Sequence, residues 1–287
     1  MITRTCAAAA FMAAALAASL GLASCGGDRL VAPPLPPDAE EYSPPAVYST
    51  WWEMTRACSG LTASLAAVEW VKTNQVLHDT RTGEQIIGYW TSATNRIVMS
   101  ASAILDGGAV RHEMLHALLQ KGGHPRDQFL GKCAGTVRCE GACILDAGPY
   151  PPPPETPVHV SADAMNISLD VEPASPGGGQ NGGFFAITVT AHNPTANWAT
   201  VLPLFPDNDT TRTFSFAVHG TAASFSGEEA AFDPSERIFA PGETKKLVFD
   251  FRVGDDAFSR QLPPGNYTVR GAYSNYWSSD VAFVVAP

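Results

Sequence analysis

The chain has 287 residues and a mass of 30.3 kDa, a length that suits two compact domains with connectors. Hydrophobic residues make up 45% and charged residues 16%, which excludes a disordered acidic tail and a coiled coil. Lys plus Arg number 18 against 28 Asp plus Glu, a net charge of -10 with no basic cluster, so nucleic acid and electrostatic docking on anionic lipid are not expected.

In chain order, the N-terminus reads as an address. Arg4 supplies a minimal positive region and Ala7 to Ala23 an apolar one. Leu22-Ala23-Ser24-Cys25, followed by Gly26-Gly27, resembles the lipobox of bacterial lipoprotein signal peptides, in which small residues precede a cysteine that becomes the lipidated N-terminus. The resemblance implies that residues 1–24 are a signal peptide and that Cys25 carries lipid. It also implies an exported protein anchored to a bacterial membrane, with Gly26 directing it to the outer membrane. Several acyl chains on one residue make a stable anchor. No apolar run beyond residue 24 is long enough to span a bilayer. Residues 25–46 are proline-rich and read as a semi-extended tether, since proline fixes φ and lacks a donor.

A first domain is expected over residues 47–147. Trp52, Met54, Leu61, Leu65 and Val68 recur at helical spacing and predict a helix from Trp51 to Trp70. Glu84 to Trp90 and Arg96 to Ala101 read as strands, and Asp106-Gly107-Gly108 as a turn. Ala109 to Gly123 reads as a helix with a Lys121-Gly122-Gly123 stop. Within it lies His112-Glu113-Met114-Leu115-His116, the HExxH pattern. Residues four apart share one helical face, so both imidazoles can reach one Zn²⁺. Glu113 stands beside them, where it can take a proton from a water that the metal acidifies.

This arrangement looks like the zincin metallopeptidases over about residues 48–147. The resemblance implies zinc ligands at His112 and His116 and a general base at Glu113. The third ligand stays open between His124, Asp127 and Glu140. His124 is preferred, because Gly122 and Gly123 allow a sharp reversal over the metal. The metzincin extension fails, with Leu119 and Gly122 at its Gly and His positions. Tyr89 and Tyr150 are candidate oxyanion donors or core residues. Trp51 and Trp52 read as core before cleft, and Arg111 as solvated or paired.

Cys6 leaves with the signal, so Cys58, Cys133, Cys139 and Cys143 remain in the first domain. In an exported protein they suggest two disulfides, with three possible pairings. A bridge from Cys58 closes about 75 to 85 residues, worth roughly 4 kcal/mol by chain entropy. The competing reading is a four-thiolate zinc site, though the spacing lacks a C-x2-C knuckle.

Residues 148–157, with prolines at 151 to 154, read as a stiff linker. From 158 to 287 the texture becomes short alternating runs: Met165 to Val171, Phe184 to Ala191, Thr213 to Val218, Lys246 to Val253, Tyr267 to Tyr273 and Val281 to Val285. Such spacing predicts a β-sandwich of seven or eight strands. Its Pro-Gly-Glu and Pro-Pro-Gly-Asn-Tyr-Thr-Val turns resemble immunoglobulin-like accessory domains and the intracellular proteinase inhibitor fold. The expected architecture is thus an α+β minimal zincin-like domain followed by an all-β sandwich domain. The expected activity is a lipid-anchored zinc metallopeptidase acting on a peptide or protein. The alternatives are a binding or adhesion lipoprotein with an inactive zincin-like domain, and a protease regulator acting through the sandwich, whose ligand the sequence does not name.

Overall fold

The chain enters the fold earlier than its composition predicts. In the computed structural model, the described residues are 34–80, 82–147, 153–173, 183–201, 212–220, 224–230, 238–252, 262, 264–274 and 276–286. The segment expected to be a signal peptide, Cys25, and residues 148–152 of the expected linker, including Tyr150, lie outside them. Ala32–Pro287 forms one compact unit. Within the proline-rich segment expected to be a tether, β1 (Glu40–Glu41) pairs antiparallel with Val71 and Lys72. The Asp38 carboxylate accepts bonds from the Thr73 hydroxyl and the Asn74 N–H. The first proline runs end at position 37 and the next begins at 44, so the residues between carry N–H groups that can pair.

The first helix, α1 (Val47–Ser59), ends where Gly60 takes the left-handed conformation (φ 71) and returns its N–H to the Arg56 carbonyl. The longer helix expected to reach Trp70 therefore does not form. Leu65–Ala67 makes a single 3-10 turn, and β2 (Glu69–Thr73) follows. A small hairpin joins β3 (Leu77–His78) to β4 (Gln85–Ile86). The strand expected over Glu84 to Trp90 is broken at Ile87, and β5 (Gly88–Thr91) continues beyond it. The next, β6 (Arg96–Ser100), falls where expected. The sheet order is β1-β2-β6-β5, with β2 and β6 parallel and the other pairs antiparallel.

Helix α2 (Gly107–Leu119) follows, capped by the Asp106 side chain, which accepts from the Ala109 N–H. It ends before the expected Lys-Gly-Gly stop, and Gln120, not a glycine, takes the left-handed position (φ 52). Val110, Met114, Ala117 and Leu118 pack with Trp51, Trp52, Trp70, Ile97 and Met99 from α1 and the sheet. On another side, Leu115 and the partly buried Leu119 pack with Phe129, Cys133 and Val137. The helix is thus buried on most of its circumference, unlike an ordinary amphipathic surface helix. A π-helical turn (Asp127–Lys132) and the short α3 (Ala142–Ala147) complete this region. Two disulfides form: Cys58–Cys133, closing 75 residues, and Cys139–Cys143, closing 4.

Strands dominate the rest: β7 (Val158–Val160), β8 (Asn166–Glu172), β9 (Phe184–His192), β10 (Ala199–Val201), β11 (Arg212–Gly220), β12 (Ser224–Ala230), β13 (Ile238–Phe239), β14 (Thr244–Arg252), β15 (Gly265–Tyr273), β16 (Tyr276–Trp277) and β17 (Val281–Val285). One sheet runs β14-β9-β8; a second runs β12-β11-β15-β16, with β17 also on β15; a third, small sheet runs β13-β10-β7. Val171, Ile187, Val189 and Phe251 from the first share a core with Phe216, Val269, Tyr273 and Phe283 from the second. All six expected strands are present; the short β7, β10, β13 and β16, and the polar β12, have no apolar run to betray them. The fold as a whole is mixed α/β, mostly strands with few helices.

Candidate metal centre

The centre is built on the middle of α2. His112 and His116 stand one turn apart, and their Nε2 atoms lie 3.2 Å apart. After the helix, Gly123 adopts φ 77 and the chain doubles back, placing His124 Nε2 3.1 Å from His112 Nε2. The three ligand nitrogens lie within 4.8 Å of one another, and no other such His, Cys, Asp or Glu cluster exists among the described residues. Of the three residues weighed for the third position, the structure brings His124 to the pair. Asp127 opens the π-helical turn, and Glu140 faces Arg138 at 3.7 Å.

The outer nitrogen of each imidazole meets an acceptor. His112 Nδ1 contacts the Arg138 carbonyl at 2.6 Å, and His116 Nδ1 the Lys121 carbonyl at 3.0 Å. His124 Nδ1 contacts Asp146 Oδ2 at 3.0 Å, and the same oxygen accepts the His124 main-chain N–H at 3.0 Å. Carbonyls and carboxylates only accept, so each Nδ1 must carry the proton. Each neutral ring then turns a bare Nε2 lone pair inward. Three converging lone pairs cannot bond one another, whereas a cation satisfies all of them. A zinc–nitrogen distance of about 2.0–2.1 Å at tetrahedral angles separates ligand nitrogens by about 3.3–3.4 Å. The observed 3.1 and 3.2 Å separations fit that geometry.

Burial supports neutral rings. It holds His112 well below the usual histidine range, with His116 and His124 as the next causes. It lowers His116 to about 4, with His124 adding to the effect. Beneath the cluster lies Phe129, fully buried, its ring centroid 4.9 to 5.0 Å from each imidazole centroid. It gives the three rings one rigid floor.

Glu113 is buried against β5: a Cβ on Gly88 would stand 3.2 Å from Glu113 Cγ. Burial pushes its carboxyl up to about 8, and a hydrogen bond with the Trp90 main chain opposes the rise. The cysteines expected as either disulfides or thiolate ligands form disulfides. Trp51 and Trp52 are core, each 2% exposed. Tyr89 is half-buried on β5, and Arg111 is paired rather than solvated. Sequence reasoning missed Arg138, Asp146 and Phe129. The flanking acceptors leave no pattern, and Phe129 reads as any core aromatic.

No protein-family model matches the chain, and no curated protein matches it. Among solved structures it is similar to the alkylpurine DNA glycosylase AlkC of Pseudomonas fluorescens, at 14% identity and a TM-score of 0.31, over 43% of this chain and 31% of that one. It is similar to the β-glucosidase of Listeria innocua at 14% identity and a TM-score of 0.26, over 43% of this chain and 16% of that one. A third likeness is to the putative ApaA protein of Bordetella pertussis, at 15% identity and a TM-score of 0.23, over 42% of this chain and 94% of that one. The chain thus spans less than a third of the first two. At these scores none carries an argument about function, which rests on the site itself.

Proposed function

We propose that this protein is a zinc-dependent metallopeptidase of the zincin kind, with an α+β minimal zincin-like region followed by a β-sandwich and a lipid anchor on Cys25. The observation that carries the reading is the convergence of His112, His116 and His124 through Nε2, each with Nδ1 committed to an acceptor. Imidazole donors suit zinc, and a catalytic zinc takes three protein ligands with one position open. Bound there, zinc would polarise a peptide carbonyl and lower the pKa of a water.

The chain's own groups do the rest. The Arg138 carbonyl, the Lys121 carbonyl and Asp146 hold the three rings in one tautomer. Burial alone favours the neutral acid at Glu113, and a cation held by the neighbouring histidines would favour the carboxylate. In that form Glu113, one residue from His112, accepts the proton of the attacking water and passes it to the departing amine as the C–N bond breaks. Its buried position keeps bulk water from competing for that proton.

The test is metal content and peptide hydrolysis on the purified exported protein. About one zinc per chain is expected. Glu113→Gln should retain the zinc and lose hydrolysis by about 10² to 10⁴. His112→Ala and His116→Ala should lose the zinc. Zinc retained in both histidine variants sinks the reading in favour of a binding lipoprotein.

A further inference from the structure

The metal helix is gripped from a strand that the sequence assigns to the other domain. Arg111, next to His112, is 1% exposed. Its Nη1 and Nη2 donate to the two Asp250 carboxylate oxygens at 2.9 and 2.7 Å, and its Nε donates to the Thr136 carbonyl at 2.6 Å. Its guanidinium carbon stands 5.9 Å from the centroid of a Trp51 ring. One buried cation therefore joins α1, α2, the loop after Cys133 and β14. The same loop is bound to β14 a second time, through the Val248 N–H on the Gly135 carbonyl at 2.9 Å. Three residues after Gly135, Arg138 offers the carbonyl that orients His112.

The approach of Asp250 requires a bare backbone on α2. A Cβ on Gly107 would stand 2.6 Å from Asp250 Oδ2 and 2.8 Å from Arg111 Nη1. An alanine in a first helical turn is ordinarily better than glycine. Here the extra methyl would displace the carboxylate.

We propose that Arg111 and Asp250 are positioning residues for the metal centre, and that β14 is a structural part of that centre rather than of a detachable accessory module. The bidentate pair fixes α2 and the loop after Cys133 relative to each other. Those two elements carry His112 and the carbonyl that holds its tautomer. A shift between them misaims His112 Nε2 although His112 itself is untouched. The inference rests on the metal-binding reading of His112, His116 and His124.

The experiment measures zinc affinity by chelator competition, and the Co²⁺ ligand-field spectrum, on the full exported chain, with thermal melting alongside. Asp250→Asn keeps the shape and removes the charge, and Gly107→Ala intrudes on the carboxylate. Both should weaken zinc binding about 10- to 100-fold, the usual loss for an outer-shell partner, and alter the Co²⁺ spectrum. Phe283→Ala is the control: it trims a residue on β17 whose ring stacks on Tyr267 in the sandwich core, away from the pair. It should lower the melting temperature and leave zinc affinity within about twofold of wild type, since sites without shared partners are nearly independent. Wild-type affinity in both Asp250→Asn and Gly107→Ala overturns the proposal. So does an equal loss of affinity in Phe283→Ala, or failure of both variants to fold, either of which marks a general stability effect. A wild-type protein that binds no metal overturns the metal-site reading instead.

Discussion

Asp146 is the most informative single position around the metal centre, because it bears on one ligand and leaves the other two alone. One of its oxygens accepts both the main-chain N–H and Nδ1–H of His124, each at 3.0 Å. The Asp146 side chain is 32% exposed against 15% for His124, so solvent screens part of the charge effect. Asp146→Asn keeps a carbonyl oxygen for those donors and loses the charge. The expected loss of zinc affinity is therefore at the low end for an outer-shell partner, ~10-fold or about 1.4 kcal/mol. Asp146→Ala removes the acceptor and frees the ring to rotate; ~100-fold, about 2.7 kcal/mol, is expected. The assay is competition with a chromogenic chelator at fixed pH and salt. The order wild type, Asn, Ala and finally His124→Ala, weakest of all, is required. Wild-type affinity in Asp146→Ala would refute the claim that the acceptors preset the imidazoles. Wild-type affinity in His124→Ala would remove His124 from the ligand set.

Two further outcomes follow from the cysteines. Replacing Cys139 and Cys143 together by serine opens a 4-residue closure, worth roughly 2 kcal/mol by chain entropy. Because that staple lies between Arg138 and Asp146, zinc affinity should fall several-fold. The 75-residue bridge Cys58–Cys133 is worth roughly 4 kcal/mol and should dominate the loss of melting temperature on reduction. An unchanged zinc affinity in the double variant would refute the first expectation, read by the same chelator competition. At the N-terminus, Cys25→Ser should move the protein from the membrane to the soluble fraction on sedimentation; a processed variant that still sediments with membranes would refute the lipid anchor.

What the sequence could reveal was what repeats locally. The strands with long apolar alternation, such as Phe184–His192 and Thr244–Arg252, were legible because period-two burial is written into neighbouring residues. Two of the three converging histidines were legible because one helix carries both. His124 was legible only through its glycines, and the real turn begins at Gln120. The false extension of α1 shows the converse. Leu61, Leu65 and Val68 continue the helical spacing, but the left-handed Gly60 ends the helix first. Asp250 had no signal at all, standing 139 residues from Arg111 in a run that reads as an ordinary strand.

The three histidines explain why so much of the centre escapes local pattern. Their outer nitrogens are held by Lys121 just past the helix, Arg138 in the loop and Asp146 on α3. None of these contributions has chemical meaning without the chain closures that bring it there. Cys133, at the head of the loop, is bonded to Cys58 on α1, and Gly135 and Thr136 are held by Val248 and Arg111. A metal ion binding the folded arrangement, and not the unfolded chain, adds its binding free energy to folding. Zinc affinity and stability should therefore move together for residues that hold the acceptors, and separately for residues that only fill a core. That division follows from which side chains hold the loop after Cys133, directly as Arg111 does or through Arg111 as Asp250 does, not from their distance to the metal. It places Asp250, on β14, with the groups that aim His112, and leaves Phe283, on β17, outside them.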